Sequence, residues 1–242
     1  MMFRGKEKIA IGMAQPLALP GSFRHGGESI GTITEKLLEE VAVYDRYGYD
    51  GVILQNFNDI PVLEASSIEA VAYMTHLAGA IRREFPDQIL GVLMIWDAYV
   101  GAEVTSTGIL QGQCAQITRL KRKLGSKMPV YADVYEPHAV QICPKPVEDA
   151  AFDAVCQCFA DGLFLCGRNA RESLEMVART RPKVGNAPII LGGGSTGDNV
   201  YELLQQFDGV CVGAWIKDGD LLNPVNPDRA RRYMEQVERA RA

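Results

Sequence analysis

Apolar runs recur along the chain, each followed by polar or glycine residues and then by a stretch whose apolar positions repeat at helical spacing. Residues 9–14, Ile-Ala-Ile-Gly-Met-Ala, form the first run, and residues 32–47 follow with Ile33, Leu37, Val41 and Tyr44 on one helical face. Residues 51–55 predict a second strand, and residues 67–85 a second helix with Ser67 as its N-cap. Further strands are expected at 89–95, 130–134, 162–166, 188–191 and 210–214, with helices at about 111–124, 147–159, 173–181 and 198–207. Asn226-Pro227-Asp228 opens a last helix with a capping amide, a proline in the first turn and an acid near the positive helix end.

Continuous apolar strands alternating with amphipathic helices predict a parallel sheet covered on both faces. Counting residues 97–100, Asp-Ala-Tyr-Val, gives eight strands and favours a (βα)8 TIM barrel over a doubly wound open sheet. No proline-rich or low-complexity linker interrupts the series, so residues 1–242 read as one domain. One step breaks the rhythm. Residues 89–95 and 97–100 are practically contiguous, whereas parallel neighbours need a crossover of about a dozen residues. Either one βα unit, with the third helix, is lacking from the barrel, or a segment is absent from the sequence.

The composition is that of a packed soluble protein, with 47% hydrophobic and 23% charged residues in 242. Thirty acidic against 25 basic residues give a net charge of −5, and the largest basic cluster is Lys121-Arg122-Lys123. Neither attracts a phosphate backbone, which argues against a nucleic-acid partner. The longest apolar run, residues 89–96, is far below the roughly 20 residues that span a bilayer. Residues 1–8 are charged and lack the apolar stretch of a secretion signal. Six cysteines without a CxxC pair point to a reducing, cytoplasmic setting, and no spacing motif supports structural zinc, another metal or a cofactor.

In a barrel the functional groups lie in the loops after the strands. The seventh expected strand runs into Gly192, Gly193, Gly194, Ser195, Thr196 and Gly197 and then a helix, where bare backbone and helix-start N–H groups suit an anion. Gly213 follows the eighth strand, with Lys217 as a candidate counter-charge. Barrels often hold phosphate at these two loops. Other polar groups at strand ends are Gln15, Asn56, Asp59, Asp97 and Arg168. Asp133 and His138 make an acid–base couple if their loop folds back, although an aspartate here equally suits a loop cap. His25 lies in a glycine-flanked loop that would close over the mouth.

Taken together, residues 11–12 leading to Leu19-Pro20-Gly21-Ser22 and Gly26-Gly27, residues 51–61, residues 101–112, Ala132-Asp133-Val134, His138-Ala139, residues 213–217 and residues 223–227 resemble the BtpA/SgcQ family. The resemblance runs from about residue 9 to the final helix. It implies a barrel of the phosphate-binding kind, in a family of predicted barrel enzymes whose naming member is a membrane-associated factor of photosystem I biogenesis. It therefore also implies peripheral membrane association. The chain departs from the family at Gln15 and Gln55, which stand where the family has His and Glu. Tyr135 and Pro137 replace a His and a Lys, and Cys166-Gly167-Arg168-Asn169 replaces a Thr-Gly-rich turn. Glutamine does not exchange protons near neutral pH.

These readings predict a protein that binds a small phosphorylated metabolite, a sugar phosphate or nucleotide. Gly192, Gly193, Gly194, Ser195, Gly213 and Lys217 would hold the phosphate. Asp133, His138 and Asp59 would do acid–base work, and Gln15, Asn56, Asp97 and Arg168 would orient substrate. The alternatives are a ligand-binding regulator without chemistry and a non-catalytic assembly factor. A missing third helix would leave apolar strand faces near residues 89–100 uncovered, which predicts a homo-oligomer.

Overall fold

The computed structural model describes residues 6–60, 66–94, 102–105, 108–111, 114–135, 137, 140–141 and 144–242. In chain order the elements are β1 (Ile9–Ala14), α1 (Ile30–Arg46), β2 (Gly51–Gln55), α2 (Ile68–Glu84), β3 (Ile89–Leu93), β4 (Ala102–Thr105), β5 (Gly108–Gln111) and α3 (Cys114–Lys123). They continue with β6 (Tyr131–Asp133), β7 (Val140–Gln141), α4 (Val147–Phe152), which runs on as a π-helical turn (Asp153–Gln157), β8 (Gly162–Leu165) and α5 (Ala170–Val184). The chain ends with β9 (Ile189–Leu191), α6 (Val200–Leu203), β10 (Gly209–Val212), a 3₁₀ turn (Ala214–Lys217) and α7 (Pro227–Arg241).

Seven strands form a parallel sheet in the order β3-β2-β1-β10-β9-β8-β6. Side chains alternate across it, as the strand period of two requires. Ile9, Ile11, Ile53, Ile190 and Cys211 pack on the inner face with Met13, Leu93, Tyr131 and Phe164. The opposite residues, among them Ala10, Val52, Leu54, Leu163, Ile189, Val210 and Val212, join the helices in the larger core. The central strands β1, β10 and β9 are apolar because both of their faces are covered. The sheet thus curls as a TIM barrel does, with β3 and β6 as its edges.

The expected eighth strand at 97–100 lies outside the described residues. Among the described residues no ladder joins β3 to β6, and no helix lies between Leu93 and Cys114. The outward side of β3 shows the consequence: Val92 is 53% exposed. A small antiparallel sheet, order β5-β4-β7, stands in addition to the expected series. No helix among the described residues is long and apolar enough to cross a membrane.

Local chemistry sets the helix boundaries. Ser29, Ser67, Asn169 and Asn226 cap α1, α2, α5 and α7 by accepting hydrogen bonds from first-turn N–H groups. At α5, Glu172 also accepts from the Arg168 N–H at 2.7 Å, closing the helix start from both directions.

Candidate functional site

The C-terminal strand ends gather the polar residues. The loop after β9 starts with Gly192, whose N–H still donates to Leu165 O at 3.1 Å. Beyond it the ladder stops, and the N–H groups of Gly193, Gly194 and Ser195 donate to no group among the described residues. Gly194 takes φ +76, a left-handed conformation that favours glycine. The far side of the loop is fixed by its own side chains. Asn199 Oδ1 accepts from the Thr196 N–H at 2.7 Å, and Asn199 Nδ2 donates to Gly194 O at 3.0 Å. The result is a loop held by its own side chains with three successive amides left over, next to Gly213, which follows β10.

Two groups expected to reach into this loop are engaged elsewhere. Ser195 is buried, its hydroxyl donating to Cys211 O at 2.7 Å and accepting from the Tyr233 hydroxyl of α7 at 2.8 Å. Lys217, with a side chain 2% exposed, is ion-paired to Glu40 of α1. Glu40 Oε2 in turn accepts from the Gln15 N–H at 3.3 Å. Burial outweighs the attraction of Lys217 and holds the Glu40 carboxyl above its ordinary value. Lys217 therefore ties the 3₁₀ turn to α1. Sequence position located this lysine correctly in the loop after β10, but a partner 177 residues earlier in the chain carries no local signal.

Gln15, just after β1, and Gln55, at the end of β2, continue the inward alternation of their strands, and Gln15 Nε2 donates to Gln55 Oε1 at 2.8 Å. In the loop after β2, Asp59 Oδ1 accepts from the Leu19 N–H at 2.7 Å, and Asn56 Nδ2 lies 3.4 Å from Asp59 Oδ2. Burial raises the Asp59 carboxyl, opposed by these hydrogen bonds and by the nearby charge of His25. His25 is anchored by a 2.9 Å contact between Nδ1 and Ala18 O. The structure thus brings His25 beside Asp59. His138, expected beside Asp133, lies outside the described residues, as does Asp97. Asp133 ends β6 on the inner face, where its charge adds to burial in pushing up the Cys211 thiol. Arg168 has an exposed side chain, pairs with Glu172 at 3.1 Å and feels the charge of Tyr135 in the loop after β6.

A parallel sheet with inward polar groups at its C-terminal strand ends and glycine loops after the last two strands defines an α/β protein of the TIM-barrel class. The fold is shared with tryptophan synthase from Mycobacterium tuberculosis, at a TM-score of 0.62 and 12% identity over 96% of this chain and 92% of that one. The chain belongs to the BtpA family, whose model matches residues 6–103 and 94–239. The two matches overlap at residues 94–103, within the stretch between Leu93 and Cys114 where the described residues contain no helix.

An uncharacterized protein of Thermococcus kodakarensis is 30% identical over 258 residues, 98% of this chain and 97% of its own length. That match is longer than the 242 residues here, so the relative carries positions that this chain lacks. The Photosystem I biogenesis protein BtpA of Synechocystis is 25% identical over 254 residues, 94% of this chain and 87% of its own length.

Proposed function

We propose that the mouth of the barrel binds a small phosphorylated metabolite, with the phosphate on the N–H groups of Gly193, Gly194 and Ser195. The observation that carries this reading is the run of three successive amides that have no acceptor among the described residues, in a loop whose Thr196 and Asn199 side chains are hydrogen-bonded to its own backbone. Such concave runs of backbone N–H are suited to anions. Gly192 and Gly213 leave backbone, not side chains, at the edges of the anion position. Lys217 serves this site by anchoring the turn that follows Gly213.

Asp133 and Asp59 are the acid–base groups in this proposal, with His138 as read from the sequence. A carboxyl raised by burial, as at Asp59, moves toward the range useful for proton transfer near neutrality. Gln15, Asn56, Asp97 and Arg168 complete the substrate-orienting set, Arg168 after release from Glu172. A cytoplasmic setting suits the free thiols of Cys156, Cys158 and Cys211. We also propose that the chain self-associates over the uncovered outward side of β3.

A thermal-shift screen of inorganic phosphate and sugar phosphates on wild type and Gly193→Ala tests the anion site. A Cβ at Gly193 would lie 3.4 Å from Cys166 Sγ, close to an ordinary contact, so the variant keeps the fold while crowding the amides. A ligand at 100 times its Kd adds about 2.7 kcal/mol, on the order of 5–10 °C for a chain of this size. The expected result is a shift in wild type that is lost in Gly193→Ala. No shift, or equal shifts in both proteins, contradicts the site.

A further inference from the structure

At the N-terminal ends of the strands, opposite the glycine loop, exposed apolar side chains stand among unpaired cations. Leu120, Leu124, Met128 and Phe159 are 54%, 69%, 68% and 69% exposed. The segments that carry them are fastened to one another. Thr118 Oγ1 of α3 donates to Cys158 O at 2.7 Å, Lys121 pairs with Asp161 at 2.6 Å, and Asp161 Oδ2 also accepts from the Val130 N–H at 2.8 Å. Leu120 and Leu124 lie one turn apart on the same side of α3 and its last turn, where the Leu124 N–H donates to Leu120 O at 2.9 Å. Val130 and Asp161 directly precede β6 and β8, which fixes this face at the end of the sheet away from the mouth.

Phe159 departs furthest from what folding alone requires. It takes φ +57 just after the π-helical turn that ends α4, and the Ala160 N–H donates across it to Ala154 O at 2.9 Å. This left-handed, helix-ending position ordinarily belongs to glycine or asparagine. A phenylalanine there strains the backbone, and its ring stays in water, so no burial within the chain offsets the strain. The charges nearby are also unspent. Arg119, Arg122, Lys123 and Lys127 are exposed and have no acidic partner among the described residues; in this stretch only Lys121 is paired. Setting these five aside from the 25 basic residues leaves 20 against 30 acidic ones. An extended anionic sheet, such as a membrane or a nucleic acid, meets that negative remainder as well, whereas a short acidic segment meets the patch alone.

We propose that this face docks an acidic segment of another protein that also carries apolar side chains. Its apolar groups pack on Phe159 and the two leucines of α3, and its carboxylates meet Arg122 and Lys123. An aromatic anchor ringed by cations has the composition of an interface centre, with the charges setting partner choice and encounter rate. Neither the glycine loop nor its ligand enters this inference.

Selection of a random peptide library on the full chain, followed by fluorescence polarisation of the enriched peptides, tests the proposal. The enriched peptides are expected to interleave Asp or Glu with Leu or Phe, and to bind less tightly as salt is raised. Their affinity should fall about tenfold or more in Phe159→Gly and in the double variant Arg122→Glu/Lys123→Glu. Phe159→Gly should at the same time raise Tm by about 2–4 °C, because glycine relieves the left-handed strain. A ring with a structural role would instead lower Tm on removal, and that result overturns the proposal. Enrichment of basic or uncharged peptides, no enrichment at all, or equal binding to the variants overturns it as well. Two further outcomes reassign the face and so contradict an acidic protein partner. One is binding to phosphatidylglycerol–phosphatidylcholine vesicles that Arg122→Glu/Lys123→Glu abolishes, which gives the face to a membrane. The other is a drop in mass by light scattering in that double variant, which gives it to a second copy of the chain.

Discussion

The Lys217–Glu40 pair joins the turn after β10 to α1 in a place closed to water. Two charges removed from water in this way are tolerated only together, because either one alone is an uncompensated buried ion. Lys217→Met should therefore lower stability by about 3–5 kcal/mol in urea denaturation. Adding Glu40→Leu to Lys217→Met should recover most of the loss. A loss below about 1 kcal/mol in the single variant would show that the pair is not buried as described. The residue type and its loop were legible in the sequence; the partner was not, since Glu40 looks like any exposed-face acid of an amphipathic helix. Ser195 is similar. A serine in a glycine loop reads as a ligand group, and only the packing of Tyr233 against it reveals that its hydroxyl is spent inside the protein. Asp59, by contrast, was legible as a polar group at a strand end, and the structure adds that burial shifts its carboxyl upward.

Among the elements, the helix caps carry the clearest energetic signal. Asn226 Oδ1 accepts from the Asp228 and Arg229 N–H groups at 3.0 and 3.3 Å, and Asn226 Nδ2 donates to Asp218 at 3.0 Å. These bonds set the start of α7, whose Tyr233 reaches the glycine loop. Asn226→Ala should cost about 1 kcal/mol by denaturant titration. An unchanged midpoint would mean that tertiary packing alone fixes the helix start. Most elements were readable because amphipathic period and capping residues agree, as at Ser67 before α2 and Asn226 before α7. The hairpin of β4 and β5 was not. Its strands are four residues each, too short for a period to stand out, and in the sequence residues 101–112 carry only a stretch of family likeness. The helix expected at 198–207 is regular only over Val200–Leu203: Thr196 and Asn199 shape the loop before it, and it runs out through turn hydrogen bonds as far as Phe207.

For the whole molecule, the parallel α/β architecture was legible from strand–helix alternation, and so was the place where it is interrupted. Crossover length carried that information, since contiguous strands cannot be parallel neighbours. The structure and the family comparison point to the same place: β3 is an edge strand among the described residues, and the family matches overlap at residues 94–103. An edge with Val92 half-exposed on its outward side is the basis for expecting self-association. Light scattering over a dilution series should give a mass above that of one chain. Val92→Glu should reduce it to the single-chain mass without changing the circular dichroism spectrum. A wild-type chain monomeric at every concentration would contradict this.

The most direct test of the central claim is a ¹⁵N-resolved NMR titration of the full chain with inorganic phosphate. The amide resonances of Gly193, Gly194 and Ser195 are predicted to shift together and saturate, while the Gly125 amide, in the turn after α3, stays in place. Saturable shifts elsewhere with those three amides unmoved, or no saturable shift at all, would contradict a phosphate site at the loop after β9.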